Sequence, residues 1–504
     1  MKPQVCARVG TAHDVHVPRE TSTPARRVAV IVCHGMGQQV RFQTIDQVAH
    51  GLLAEARRQN AGRTIEPTVR LVRLGERTLG RAEIVVPHRG GDVHVDVYEG
   101  YWAPLTEGQI ALWQVLAFLF KAGWQGSTTA VRRFQRYLFG GFVTYDLPSM
   151  RLVGEFALAL AVLGSLVFIN AVQASIVAAW IAGAGASTWV TPAVVERLSH
   201  DMLFLVIPAA LLGAAAWAGT RVQARGGRAP AALWFGLWIA IVLSLSGAIV
   251  SAVQIARHLV QAAAAPLAAA DVGRWRLQDL VRWDDGLLWI GVAAATVIAR
   301  WFVLQYAGDV AIYLSGYRVS RFAELRDRIQ DVCCGAARAV YAHGGYDQHV
   351  LVGHSLGSVV AYDVLNRLLV DEQCGTLADV HARTRALVTF GSPLDKTAYL
   401  FRIQASAGAD IREALAAATQ PLIADYANRP VWLNVWSPAD PISASLDYYD
   451  DPRQPGYRRG RVRNRRDPQA ILPVLAHTSY WTSPALYRPL LRLIVTESEA
   501  PGRA

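Results

Sequence analysis

The hydrophobic positions along the chain follow two kinds of pattern, and the first is typical of an α/β protein. Short runs of β-branched and apolar residues predict strands that are buried on both faces. The clearest of these runs are 27–33, 349–354, 385–390 and 431–436. Between them, apolar residues recur every three or four positions, most clearly over 43–60 and 321–341, which predicts helices. The expected fold is a mostly parallel sheet flanked by helices.

Weaker alternation predicts further strands in the same sheet. The segments concerned are 68–74, 83–87, 92–102, 309–315 and 458–466. Periodic apolar residues also predict a helix over 411–418 and a final helix after residue 481. These weaker patterns extend the α/β interpretation toward both ends of the chain.

The second pattern consists of four long, nearly uncharged apolar segments. They cover roughly 152–182, 202–219, 231–256 and 287–308. Each is about long enough to cross the ~30 Å of a bilayer's hydrocarbon core. Small residues are abundant in them, as where membrane helices pack closely. These segments predict about four transmembrane helices.

The position of these segments predicts three regions. Residues 1–110 and 309–504 form the two parts of one α/β domain, and residues 111–308 form an all-α membrane insertion between them. The short aromatic segment 111–120 is expected to be an interfacial or core helix that precedes the spans.

The distribution of charge predicts how the membrane segments are oriented and which class of partner the protein binds. The formal net charge is +11, and arginine supplies nearly all of the positive charge. Arginines flank the first and fourth apolar segments and fill the loop between the second and third, so the positive-inside rule places both soluble parts in the cytoplasm. The expected location is a bacterial inner membrane, and the expected partners are anionic lipid headgroups. The arginine-rich run 458–466 is only a weak indication of nucleic-acid binding, because runs of one sign are usually solvated and anionic lipid is the nearer partner.

Cysteine usage and glycine spacing indicate no cofactor. The five cysteines are dispersed, without the spacing of metal ligands, and we expect reduced thiols. No phosphate-binding glycine loop occurs in the sequence. We therefore expect neither a metal nor a cofactor, and the sequence leaves the oligomeric state open.

One stretch carries the candidate chemistry. The apolar run that ends at His354 is followed by Ser355 within Gly353-His354-Ser355-Leu356-Gly357, and an apolar, helix-compatible run comes next. This order of strand, sharp turn and helix is the pattern of a nucleophile elbow. Ser355 is then expected to have a strained backbone. The strand and the helix are expected to approach the turn so closely that only glycine fits at Gly353 and Gly357.

A serine nucleophile needs a base, and the base needs an oriented carboxylate. Asp440 follows the strand predicted at 431–436, and His477 lies in a late loop. Asp395, after the strand predicted at 385–390, is the reserve acid. All three are expected at the carboxyl ends of strands, where open α/β sheets gather their active sites. His354 is interpreted as structural.

A tetrahedral intermediate needs N–H donors for its oxyanion. The N–H of Leu356, directly after Ser355, is one candidate. The loop His34-Gly35-Met36-Gly37 follows the first buried strand, and its glycines allow a tight turn. The N–H of Met36 is therefore the second candidate, supported by His34, Gly35 and Gly37.

On these residues the chain resembles the α/β-hydrolases of the lipase/esterase kind. The matching segments are 30–37, 353–357 and 390–393, together with Asp440 and His477 in the serine–acid–histidine order of that family. The resemblance covers the parts of the chain outside the predicted insertion. It implies that Ser355, Asp440 and His477 form a catalytic triad, and that Met36 and Leu356 form an oxyanion hole.

The expected function is a membrane-embedded serine hydrolase that cleaves an acyl ester, with a lipid as the expected substrate, through an acyl-enzyme intermediate. The alternative is a non-catalytic membrane scaffold or transporter whose hydrolase domain is degenerate. Few polar residues occur in the apolar segments, which argues against transport.

Overall fold

The protein is described from a computed structural model. The residues described are 26–37, 39–59, 66–88, 91–107, 134–145, 320–403, 410–426, 430–453, 461–471 and 475–496, with the single residues Gln114, Ala117, Phe118, Lys121 and Tyr313.

An eight-stranded mixed sheet forms the centre of the described structure. The strands are β1 (Arg26–Cys33), β2 (Thr68–Leu74), β3 (Arg77–Val86), β4 (Val93–Gly100), β5 (Phe134–Leu138), β6 (Gly141–Tyr145), β7 (Gln348–His354), β8 (Thr384–Phe390), β9 (Val431–Trp436) and β10 (Val462–Arg466). Their order in the sheet is β10-β9-β8-β7-β1-β4-β3-β2, while β5 and β6 form a separate hairpin. Neighbouring strands are parallel from β10 to β4, and β3 is antiparallel to both β4 and β2.

Helices cover both faces of this sheet, as the α/β pattern predicts. The helices are α1 (Gln43–Gln59), α2 (Ser320–Ala342), α3 (Leu356–Gln373), α4 (Val380–Arg383), α5 (Leu394–Ile403), α6 (Asp410–Ala418), α7 (Pro421–Ala424), α8 (Ala476–Ser479) and α9 (Pro484–Val495). Buried residues of α1 and α9 share one hydrophobic cluster with the sheet, and those of α2 and α3 share the other.

The central strand β1 shows why both faces are covered. Val28, Val30 and Val32 point into the cluster under α1 and α9, whereas the intervening Ala29 and Ile31 point into the cluster under α2 and α3. Each is at most 1 % exposed. Burying one such Val or Ile side chain contributes about 1.5–3 kcal/mol, so a charge on either face of β1 would disrupt the sheet.

The membrane part of the predicted fold class is corrected by the structure. In the described stretches of chain, no helix has both the length and the apolar character that a membrane crossing requires. The all-α insertion is therefore not seen, and the four segments expected to span, 152–182, 202–219, 231–256 and 287–308, lie outside the described residues. Even α3 carries Asp363, and its apolar residues are buried against the sheet rather than exposed for lipid.

The hairpin of β5 and β6 falls within the range predicted for the insertion, but it packs against the α/β unit. Leu138 and Val143 are buried in the cluster under α2 and α3. Arg136 is one of the arginines before the first apolar segment that we interpret from the sequence as a basic membrane flank. Its guanidinium is buried, donates to the carbonyl of Tyr448 at 2.7 Å and lies 4.5 Å from the ring centre of Tyr449.

Two further predictions about local structure differ from the structure. β3 begins at Arg77 rather than at residue 83, because a tight turn with Gly75 at φ +59° joins it directly to β2. The strand predicted at 309–315 is wrong at Tyr313, which is helical. Tyr313 is buried, and its hydroxyl donates to Asp363 of α3 at 2.7 Å.

Candidate active site

Ser355 lies at a sharp turn between β7 and α3. Its backbone has φ 54° and ψ −130°, a conformation that costs about 1–3 kcal/mol for a residue other than glycine. A Cβ at position 353 would come within 2.5 Å of the Gly357 carbonyl oxygen, and one at 357 would overlap the carbonyl of Cys33. Both glycines are therefore needed because backbone atoms occupy the space of a side chain. This is the geometry expected of the elbow.

A hydrogen-bond network fixes the backbone of Ser355. Its N–H donates to the carbonyl of Phe390 at 3.0 Å. The Ser358 hydroxyl lies 2.5 Å from the Ser355 carbonyl oxygen and 2.7 Å from Ser392 Oγ, which also accepts from the N–H of Leu394. Ser392 belongs to the segment that carried part of the resemblance, and its contact ties the end of β8 to the turn.

Asp440 and His477 meet as the sequence predicts. His477 Nδ1 lies 2.9 Å from Asp440 Oδ2. Because the carboxylate can only accept, Nδ1 carries a proton, and in a neutral ring the lone pair is therefore on Nε2. Asp440 also accepts from the N–H of Ile442 at 2.9 Å and from the hydroxyl of Tyr480 at 3.0 Å.

Asp440 stays ionised at neutral pH although it is fully buried. Burial alone would raise its pKa, but the hydrogen bonds from His477, Ile442 and Tyr480 outweigh it and lower the pKa to about 2. A fixed negative charge therefore stands beside the histidine ring that would become a cation.

Ser355 Oγ and His477 Nε2 lie in the same part of the structure. Each is buried and has no hydrogen-bond partner among the described residues. A Cβ at Gly391 would lie 3.2 Å from His477 Cε1, and the preceding residue, Phe390, accepts the hydrogen bond from the N–H of Ser355. Hydrogen bonds between nucleophile and base are often long before a substrate binds.

The reserve acid, Asp395, lies in the first turn of α5. It accepts from the N–H of Tyr448 at 3.2 Å, and no hydrogen bond joins it to His477 in the described structure. Burial and the neighbouring charge of Asp447 raise its pKa to about 8. A carboxyl that is protonated at neutral pH does not suit the role of orienting a catalytic histidine, and of the two predicted acids it is Asp440 that contacts His477.

The loop after β1 lies against Ser355. A Cβ at Gly35 would lie 3.0 Å from Ser355 Cβ, so this position is close to the serine. Gly37 has φ +93°, which glycine adopts without strain. Met36 is buried between these glycines. On the other side, Leu356 is the first residue of α3, and its N–H has no acceptor within the helix.

His34 fixes this loop. Its Nδ1–H donates to the carbonyl of Gly35 at 2.8 Å, and Nε2 accepts from the N–H groups of Trp102 and Ala103 at 3.0 and 3.2 Å. The ring also stacks on Trp102, with 4.5 Å between ring centres. Burial lowers the pKa of His34 to about 4, so a neutral imidazole joins the loops that follow β1 and β4.

No protein-family model matches the sequence, and neither a curated protein nor a solved structure is significantly similar to it. In the part of the chain that the structure describes, no cluster of His, Cys, Asp and Glu could hold a metal ion.

Two residues of the site were missed by sequence reasoning as functional candidates. His354 donates from Nε2 to the carbonyl of His477 at 2.9 Å, and Tyr480 donates to Asp440. The nearness of His354 to Ser355 and of Tyr480 to His477 along the chain was the available signal. The direction of each side chain depends on contacts between distant segments, which residue spacing does not give.

The arginine-rich run near the C-terminus has a structural explanation. Arg463, Arg465 and Arg466 are exposed on β10, the edge strand of the sheet. Charges on an edge strand oppose pairing with another chain. Arg461 is buried and donates to the carbonyl of Pro430 at 3.0 Å.

Proposed function

We propose that this protein is a serine hydrolase that cleaves an acyl ester. Ser355 is the nucleophile, His477 the general base and Asp440 the carboxylate that orients it. The observation that carries the proposal is the hydrogen-bonded pair of Asp440 and His477, which leaves His477 Nε2 without a partner among the described residues, together with Ser355 on a strained turn. No simple structural need explains both a strained serine and an imidazole nitrogen that has no partner among the described residues.

In the first half of the reaction, Ser355 Oγ attacks the ester carbonyl carbon, and its proton moves to His477 Nε2. The electron pair of the C=O bond moves onto the oxygen, which accepts from the N–H groups of Leu356 and Met36. The C–O bond to the alcohol then breaks, and His477 gives its proton to the leaving oxygen. An acyl group on Ser355 remains.

In the second half, His477 removes a proton from water, and the resulting nucleophile attacks the acyl-enzyme carbonyl. Collapse of this intermediate returns the proton to Ser355 Oγ and releases the carboxylic acid. Asp440 stabilises the imidazolium in both halves because its carboxylate stays negative. These steps need no group beyond the residues of the site and water.

A lipid is the proposed form of the acyl ester, since the cationic surplus of the chain suits anionic headgroups. Hydrolysis of p-nitrophenyl esters of increasing chain length tests this choice. A kcat/KM that rises from acetate to longer acyl chains supports a lipid ester, and a maximum at acetate contradicts it.

The reaction class is tested by ester hydrolysis and by labelling with a fluorophosphonate, which reacts with activated serines. Wild-type protein should hydrolyse p-nitrophenyl butyrate and take up the label, whereas Ser355→Ala should do neither. Ser445→Ala is the matched control, because Ser445 bonds to Asp447 and takes no part in the site. Folded wild-type protein that neither hydrolyses the ester nor takes up label would favour the alternative of a non-catalytic scaffold.

A further inference from the structure

A second histidine stands beside the proposed base. His354 is the last residue of β7 and directly precedes Ser355. Its ring centre lies 4.8 Å from that of His477, and it also packs against Phe390 and Trp481, each at 4.9 Å. The side chain is therefore enclosed by the segments that carry the site.

The hydrogen bond of His354 points at the base itself. His354 Nε2 lies 2.9 Å from the carbonyl oxygen of His477. Because a carbonyl only accepts, the proton is on Nε2. On the other side of the ring, Nδ1 lies 3.2 Å from the position that a Cβ of Gly35 would take, so the ring extends from the loop after β1 to the loop that holds His477.

This bond joins two segments that are far apart in the sequence, since 123 positions separate the two residues. Asp440 fixes the ring of His477 through Nδ1, but a ring can still shift if its backbone moves. The bond from His354 holds that backbone next to the turn on which Ser355 lies. Ring and backbone are then both fixed, which determines where Nε2 points.

We propose that His354 is a positioning residue that holds the backbone of the general base through its Nε2–H group. This inference rests on the proposed function, because it concerns the same serine and histidine. It assigns His354 no proton transfer with the substrate. Its contribution is to keep His477 Nε2 within reach of Ser355 Oγ, and misplacement of a catalytic group by about 1 Å can reduce the rate a hundredfold.

The state of His354 agrees with this role. Burial and the neighbouring His477 lower the pKa of His354 to about 3. The ring is therefore neutral at the pH at which a histidine base works. A neutral donor beside His477 avoids repulsion with the imidazolium that forms during catalysis.

Two substitutions separate the hydrogen bond from the packing. His354→Leu keeps an apolar side chain of similar bulk but removes the donor. His354→Gln places an amide N–H near the position of Nε2. His349→Leu is the matched control, because His349 lies on the same strand, is fully buried and stacks on Tyr341 at 3.8 Å, at the opposite end of β7.

The measurement is kcat and KM for p-nitrophenyl butyrate, normalised to folded protein. His354→Leu should reduce kcat by about tenfold to a hundredfold with KM changed less than about threefold. His354→Gln should recover most of kcat, and His349→Leu should keep the kcat of wild type. Equal kcat in His354→Leu and His354→Gln, or a wild-type kcat in His354→Leu, would overturn the positioning role.

Hydrogen exchange tests the same restraint without activity. Amides of α8, which carries His477, should exchange faster in His354→Leu than in wild type and at the wild-type rate in His354→Gln. Unchanged exchange in both variants would contradict the proposal. Failure of the proposed function would instead show in wild-type protein itself, as absent labelling and absent ester hydrolysis.

Discussion

His477 Nδ1 lies 2.9 Å from Oδ2 of Asp440, a carboxylate with no exposed surface. The two residues are 37 positions apart and lie in the turn after β9 and at the start of α8. Replacing Asp440 by Asn should reduce kcat about a thousandfold or more, because an amide can stabilise the wrong tautomer of the histidine.

The matched control for that substitution is Asp395→Asn. Asp395 is equally a buried carboxyl of the predicted set, but it bonds to Tyr448 and not to His477. Ester hydrolysis by Asp395→Asn should stay within about threefold of wild type. A kcat that falls more in Asp395→Asn than in Asp440→Asn would show that Asp395 is the acid instead.

Tyr480→Phe should weaken the charged state of Asp440. Folding lowers the pKa of Asp440 from 3.8 to about 2, so its charge stabilises the folded protein at pH above 3.8, and this contribution is lost as the pH falls through about 2. Removing one donor to a charged group should lower the free energy of unfolding at pH 7 by about 1.5–3 kcal/mol. Urea unfolding at pH 7 measures this, and an unchanged midpoint and slope would contradict it.

The buried carboxyl of Asp395 should give the free energy of unfolding a second dependence on pH, opposite in sign to that of Asp440. Its pKa is raised from 3.8 to about 8 by burial, so between these values the unfolded chain is ionised while the folded protein keeps the proton. The contribution of Asp395 to the free energy of unfolding should therefore fall as the pH rises from about 4 to 8. Asp395→Asn removes this contribution to the slope with pH, so the free energy of unfolding of the variant relative to wild type should be higher at pH 8 than at pH 5, as measured by urea unfolding.

The control for this prediction is Asp331→Asn, which removes a carboxylate that is 60 % exposed on α2. That variant should keep the slope of wild type. A slope that is the same in Asp395→Asn and in wild type would show that Asp395 is ionised in the folded protein.

Gly357→Ala should disrupt the turn that carries Ser355. A Cβ there would overlap the carbonyls of Cys33 and His34, and backbone atoms cannot move aside without shifting β1. We expect a loss of about 1–3 kcal/mol or more in the free energy of unfolding. Gly345→Ala is the control, since only the side chain of His343 lies near its Cβ position. Thermal unfolding at the same temperature in both variants would contradict the tight approach at Gly357.

Local patterns predicted most of the strands but not their arrangement. The bounds 68–74 and 431–436 match β2 and β9, because alternating or continuous apolar residues mark a strand directly. The order in the sheet follows from pairings between distant segments, such as β1 with β7. The hairpin of β5 and β6 escaped prediction because its two buried apolar residues, Leu138 and Val143, form no periodic pattern.

The apolar segments between 152 and 308 led us to predict an all-α membrane insertion, and none of the described helices supports that part of the fold prediction. Apolar content indicates burial, but it does not distinguish lipid from protein as the surroundings. In α3 the same apolar character results from packing against the sheet.

The residues of the site were predictable where residue type and order are diagnostic. Ser355 has its flanking glycines, and Asp440 and His477 follow it in the order that the α/β-hydrolase resemblance implies. His354 and Tyr480 act through the direction of a side chain relative to another segment. Such contacts depend on tertiary packing, and periodicity along the chain contains no information about them.

The most direct test of the central claim is to find which residue a fluorophosphonate modifies. Folded wild-type protein is treated with the probe, digested and analysed by peptide mass spectrometry. We expect a single adduct on Ser355, which is lost in Ser355→Ala and formed at least about a hundredfold more slowly in His477→Ala. An adduct on another residue, or folded protein that carries no adduct, would contradict it.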